Sequence, residues 1–159
     1  LIKLFAMDVD GTLTDGGIYM DGSGNEMKRF DVQDGQGIAA LIKKGVKVAF
    51  ISGRYSAPTQ KRAEDLKITR CVNGVKDKLP ELRKIAAELG VTADETAYAG
   101  DDVPDVECIE WAGLGIAVAN ACAEAKKAAG YVAKRGGGRG AIRECAEMII
   151  RINDGEAAD

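Results

Sequence analysis

At 159 residues the chain fits one domain, and 46% apolar against 30% charged residues is an ordinary soluble balance. Its formal charge of −3 lacks the basic surplus that a nucleic-acid partner requires. It contains no histidine, which excludes Ser-His-Asp and Cys-His catalysis and His-ligated zinc, so acid–base chemistry falls to Asp, Glu, Lys, Tyr or Cys.

Leu1 to Met7 meets Asp8 too soon for a signal-peptide core and reads as the start of a buried strand over Leu4–Val9. A β-hairpin follows where a helix would be usual. Ile18-Tyr19-Met20 and Met27-Lys28-Arg29-Phe30 flank a turn-rich tip, Asp21 to Asn25, which predicts a projecting flap over about residues 17–30. Ile38, Leu41 and Ile42 ahead of Gly45 mark a helix. Val46–Ile51 is the next strand. Ser56 is a candidate cap, with Pro58 in the first turn of a helix to about Leu66.

Leu79, Leu82, Ile85, Ala86 and Leu89 predict a long helix that stops at Gly90. Three more apolar runs read as strands, Thr96–Ala99, Leu114–Val118 and Tyr131–Ala133. Arg135 to Gly140 reads as a flexible connector or as a mobile basic loop beside an anion. Ile142, Cys145, Ala146, Ile149 and Ile152 form the last helical stripe, and residues 154–159 are expected to fray. Strand–helix alternation with strands apolar on both faces predicts an α/β, doubly wound parallel sheet in a single domain over 1–153. No apolar run is long enough to span a bilayer. The four cysteines, at 71, 108, 122 and 145, include no C-x-x-C pair and read as reduced, mostly buried thiols of a cytoplasmic protein.

In open α/β sheets, ligands bind at the carboxyl ends of the strands. The first strand ends in Asp8-Val9-Asp10-Gly11-Thr12, the second in Ser52-Gly53-Arg54, and the third in Gly100-Asp101-Asp102-Val103-Pro104-Asp105. Lys78 opens the helix between the last two. Carboxylates gathered so closely repel unless a cation separates them, and an all-oxygen donor set points to Mg²⁺. A carboxylate nucleophile, a second carboxylate, a hydroxyl and a lysine are the parts that phosphoryl transfer through an aspartyl-phosphate needs.

These four segments resemble, in order and spacing, the motifs of the haloacid dehalogenase-like (HAD) phosphatases. That resemblance implies a Rossmann-like HAD fold, with Asp8 as nucleophile, Asp10 as general acid/base, and Ser52 and Lys78 on the phosphoryl group. It places Mg²⁺ on Asp8, the backbone carbonyl of Asp10, and Asp101, with Asp102 and Asp105 in support. From about residue 3 to 150 the chain is further similar to the branch of 3-deoxy-D-manno-octulosonate (KDO) 8-phosphate phosphatases. The residues that carry this are Asp8 to Gly16, Ile18 to Met20, Phe30 to Ile38, and Gly137 to Glu144. Such a relative has no large cap domain, forms a homotetramer whose flaps help close the sites, and acts in the cytoplasm in lipopolysaccharide sugar synthesis. Carried over by position, Asp31, Val32, Gln33, Asp34 and Gly35 line the sugar-acid site with Asp10, Gly53 and Lys78, while Arg54 and Arg62 meet the substrate's anionic or polar groups.

Four other readings compete. A nine-carbon keto-sugar acid 9-phosphate would use the same chemistry, but several relatives of that type carry an acidic residue in place of Arg54. A non-catalytic HAD-like module should have lost Asp8 or Asp101. A phospho-receiver domain needs an acceptor Asp where Ser52-Gly53-Arg54 stands. The Gly35-to-Ala40 stretch has a dinucleotide-type glycine pattern, but no acidic residue stands at positions 53 to 60.

Overall fold

The computed structural model describes residues 1–155, so of the tail expected to fray, 156–159 lie outside the described residues. Six strands form one parallel sheet, β1 (Leu4–Met7), β4 (Lys47–Ser52), β5 (Arg70–Asn73), β6 (Thr96–Gly100), β7 (Leu114–Ala117) and β8 (Tyr131–Val132). Their spatial order is β5-β4-β1-β6-β7-β8. β1 pairs with β4 on one side (Leu4 opposite Lys47) and with β6 on the other (Leu4 opposite Thr96). The chain runs outward from β1 to β5, then returns to the far side of β1 at β6. The site-forming loops therefore leave the sheet where its winding reverses.

The central strands are buried on both faces because helices cover both, and Phe5, Phe50, Ile51, Tyr98 and Ile116 are wholly enclosed. The helices are α1 (Val32–Lys43), α2 (Ala57–Asp65), α3 (Lys78–Leu89), α4 (Val106–Trp111), α5 (Ala123–Ala128) and α6 (Ala141–Asn153). Asp31 caps α1 by accepting from the Gln33 amide at 2.8 Å. Gly90 ends α3 at φ 68°. The expected cap at Ser56 takes another form. Its hydroxyl makes no cap bond, and the Asn73 side chain instead clamps the Ser56 backbone, accepting from its amide at 3.0 Å and donating to its carbonyl at 2.8 Å.

The flap is a short antiparallel ribbon of β2 (Tyr19–Met20) and β3 (Glu26–Met27). The Asp21 carboxylate knits its tip by accepting from the Ser23 and Asn25 amides and the Asn25 side chain. Tyr19, Met20 and Met27 point into solvent. No cysteine is bonded to another. Cys108 and Cys145 are buried, and burial pushes their thiols up, Cys108 to about 12. Among the described residues, no helix is long and apolar enough to cross a membrane.

Candidate active site

β1 stops at Met7 because the next residues turn. The Val9 carbonyl accepts from the amides of Thr12, Leu13 and Thr14, and Gly11 takes φ +86°, a left-handed conformation that favours glycine. A side chain at Gly11 would also be refused by its surroundings, since a Cβ there would lie 2.0 Å from Asp101 Oδ2. This turn delivers Asp8 and Asp10 to one pocket of about 280 Å³, whose other walls are Gly53, Arg54, Lys78, Asp101, Asp102, Pro104 and Asp105. The three strand-end segments and Lys78 thus converge.

Asp8 is buried. Lys78 Nζ donates to its Oδ1 at 2.6 Å and to Asp105 Oδ1 at 2.9 Å, and Thr12 Oγ1 donates to Asp8 Oδ2 at 3.3 Å. Burial opposes the charge of Lys78, but the carboxylates of Asp8 and Asp105 outweigh it and hold the ammonium above its ordinary range. Burial and the Asp105 charge push the Asp8 carboxyl up to about 6. Burial, then the hydrogen bond and charge of Asp8, push Asp101 up to about 9. A cation bound there would therefore compete with a proton on Asp101.

Asp105 organises this loop. It is almost wholly buried, and accepts from Lys78, from the Tyr98 hydroxyl at 2.6 Å, and from the amides of Asp101 and Asp102 at 3.0 and 3.3 Å. Asp102 is exposed and caps the following 3-10 turn through the Val103 amide. Oxygens of Asp8, Asp101 and Asp105 lie within 4.8 Å of one another, a crowded, hard donor set faced by the Lys78 ammonium. Those residues fit a divalent cation of the Mg²⁺ type.

Not every expected residue faces this pocket. The Ser52 hydroxyl is buried and donates to the Arg54 carbonyl at 2.8 Å. Asp31 to Gly35 form the start of α1. Val32 is exposed, and Asp34 is fully buried, accepting from the Arg143 amide at 3.0 Å. Burial raises the Asp34 carboxyl. Arg62 lies over the Phe30 ring and reaches the Asp31 carbonyl, so it braces the base of the flap. Within one chain, therefore, neither Asp31 to Gly35 nor Arg62 lines the pocket.

The glycine-rich loop connects β8 to α6. It packs on the back of the Asp10–Gly11 turn. A Cβ at Gly137 would strike the Gly11 carbonyl oxygen at 2.0 Å, and Asn120 joins the two, accepting from the Gly137 amide and donating to the Gly11 carbonyl. Arg139 points outward to Asp15, 3.7 Å away.

Sequence reasoning missed four side chains at this site. Tyr98 reads as core, and Asn120 carries no local signal. Glu26 and Lys28 were legible in principle, because on an extended segment they share the face opposite to that of Met27. Lys28, its side chain wholly enclosed, reaches Asp10 Oδ1 at 2.6 Å, and Glu26 takes both terminal nitrogens of Arg54 at 3.2 and 2.6 Å.

Residues 72–140 match the family model for haloacid dehalogenase-like hydrolases. The chain is 40% identical over 153 residues to KDO 8-phosphate phosphatase of Yersinia pestis, covering 96% of this chain and 82% of that protein. The crystal structure of the Moraxella catarrhalis KDO 8-phosphate phosphatase with magnesium, phosphate and KDO superposes with a TM-score of 0.92 at 44% identity, over 94% of this chain and 86% of that one. The cobalt-bound enzyme of Haemophilus influenzae gives 0.93 at 38% identity, over 96% and 90%. With most of both chains aligned and the acidic strand ends converging on one pocket, the chain belongs to the KDO 8-phosphate phosphatase family of haloacid dehalogenase-like hydrolases.

Proposed function

We propose that the protein hydrolyses the phosphomonoester of KDO 8-phosphate through an aspartyl-phosphate on Asp8. The observation that carries this reading is the placing of Asp8 in the pocket beside Asp10 and under Lys78. A carboxylate oxygen of Asp8 attacks phosphorus, the bond to the sugar oxygen breaks, and Asp10 gives that oxygen its proton. Asp10 then takes a proton from water as the water attacks the phosphorus of the aspartyl-phosphate, which releases phosphate and frees Asp8. Lys78 orients Asp8 and lends positive charge to the phosphoryl oxygens.

Asp8, Asp101 and the Asp10 carbonyl would hold Mg²⁺, with Asp105 fixing their loop and Asp102 at the rim. A cation bound there supplies charge that offsets repulsion between nucleophile and phosphoryl group. Arg54, at the rim of the pocket, would take the substrate carboxylate, which a guanidinium fork suits. Ser52 would assist the phosphoryl group only after its hydroxyl leaves the Arg54 carbonyl. Asp31 to Gly35 and Arg62 would contribute across a homotetramer interface. The exposed Tyr19, Met20, Met27 and Val32 support such an assembly, since they offer an apolar surface for it.

The test is phosphate release from KDO 8-phosphate beside a nine-carbon keto-sugar acid 9-phosphate, with Mg²⁺ and with EDTA, and with Asp8→Asn as blank. Metal-dependent preference for the eight-carbon substrate supports a cytoplasmic role in lipopolysaccharide sugar synthesis. Preference for the nine-carbon substrate moves the enzyme to a sialic-acid-type pathway, and metal-independent turnover contradicts the mechanism.

A further inference from the structure

The inner face of the flap carries a charge pattern complementary to the pocket beneath it. Met27, the last residue of β3, faces solvent, while its neighbours Glu26 and Lys28 on either side have sheltered side chains that face inward. Lys28 meets Asp10 at 2.6 Å, and Glu26 meets Arg54 through two hydrogen bonds of 3.2 and 2.6 Å. The Glu26 side chain is only 13% exposed against 43% for Arg54, so the carboxylate is the more sheltered partner. A bidentate carboxylate already fills the fork that, on the reading above, receives the carboxylate of the substrate.

We propose that Glu26 is an internal competitor for Arg54, a positioning residue that the substrate carboxylate must displace and that helps expel the sugar-acid product. An intact substrate is anchored twice, by its phosphoryl group at Asp8 and Lys78 and by its carboxylate at Arg54. It can therefore displace Glu26. Once the phosphoester bond is broken, the sugar acid keeps only the carboxylate contact, and Glu26, tethered on the flap at high effective concentration, retakes the guanidinium. The same competition keeps small free anions off Arg54. A phosphomonoester with no carboxylate leaves the Glu26–Arg54 pair intact and meets no such penalty.

The proposal rests on Arg54 receiving the substrate carboxylate, and the experiment separates the two. Inhibition by free KDO, and KM and kcat for KDO 8-phosphate and p-nitrophenyl phosphate, are measured for wild type, Glu26→Gln, Glu26→Asp and Arg54→Ala. Removing a partly exposed ion pair should tighten KDO inhibition and lower KM for KDO 8-phosphate by about three- to fivefold in Glu26→Gln. KM for p-nitrophenyl phosphate should stay within about twofold. Glu26→Asp, which keeps the charge, should return KDO inhibition toward the wild-type value.

If KDO inhibition is unchanged or weaker in Glu26→Gln while Arg54→Ala still weakens it, the competitor role is overturned and the substrate reading survives. Equal KM changes for both substrates would mark a merely structural role and overturn it too. If Arg54→Ala leaves KDO inhibition untouched, the carboxylate assignment fails and takes the proposal with it.

Discussion

Replacing Asp105 by asparagine should destabilise the protein far more than its conservative shape suggests. One Asp105 oxygen accepts from Lys78 and the Tyr98 hydroxyl, and the other accepts from the amides of Asp101 and Asp102. All four groups are donors here, and an asparagine side chain offers one acceptor and one further pair of donors. If the new amide oxygen faces Lys78 and Tyr98, its NH₂ opposes two backbone N–H groups. If it is flipped, the NH₂ opposes the Lys78 ammonium. Each buried donor left without an acceptor costs about 1–3 kcal/mol, while the counter-charge lost to Lys78 is offset by relief of the repulsion that Asp105 exerts on Asp8 and Asp101. The sum is about 3–4 kcal/mol, or about 10 °C in melting temperature for a chain of this size. Thermal unfolding followed by the fluorescence of the single tryptophan, Trp111, reads this directly. A melting temperature within about 3 °C of wild type would refute the reasoning, because it would mean that the four bonds add almost nothing net.

Three other outcomes follow from the same site. Asp8 and Asp101 both have raised carboxyl pKa values, about 6 and about 9. EDTA-treated folded protein therefore binds more protons than the unfolded chain above the ordinary aspartate range, and its stability should fall as pH rises toward 9. Because Mg²⁺ must displace those protons, its affinity should rise over pH 6 to 9. Calorimetry at pH 7 in two buffers of different ionisation enthalpy should register proton release as the ion binds, and an enthalpy independent of buffer would contradict the raised carboxyl pKa values. Gly11→Ala places a Cβ against Asp101 Oδ2 on a left-handed backbone. It should cost about 1–3 kcal/mol of stability and weaken Mg²⁺ binding at least about tenfold, and Mg²⁺ affinity equal to wild type would show that the added Cβ does not displace Asp101 from the site.

How much of this was legible depended on the range of the physics involved. β1, β4, β6 and β7 are buried on both faces, so each left a continuous apolar run in the sequence. β5, Arg70–Asn73, left none. It is half-buried throughout at one edge of the sheet, with β4 as its one pairing strand. α4 and α5 are six residues each, too short to show a helical period. The acidic strand ends were readable because D-x-D after an apolar run is a local pattern, and the parallel topology brings such ends together.

What the sequence hid is long-range. Asp34 is a residue of the α1 first turn whose partner, the Arg143 amide, is 109 residues away. The glycines at 137 and 138 look like a loose linker, yet they are small because the Gly11 carbonyl and the Thr14 backbone occupy the space a side chain would need. The resemblance placed Asp31 to Gly35 and Arg62 at the sugar site, whereas one chain by itself uses them to begin α1 and brace the flap.

The central claim is that Asp8 itself carries the phosphoryl group. The most direct measurement is rapid quenching of the enzyme during turnover of KDO 8-phosphate, followed by borohydride reduction and peptide mass spectrometry. An aspartyl-phosphate on Asp8 would be reduced to homoserine at position 8 in the wild type, with none in Asp8→Asn. Reduction at another carboxylate, or turnover by Asp8→Asn at the wild-type rate, would contradict the account.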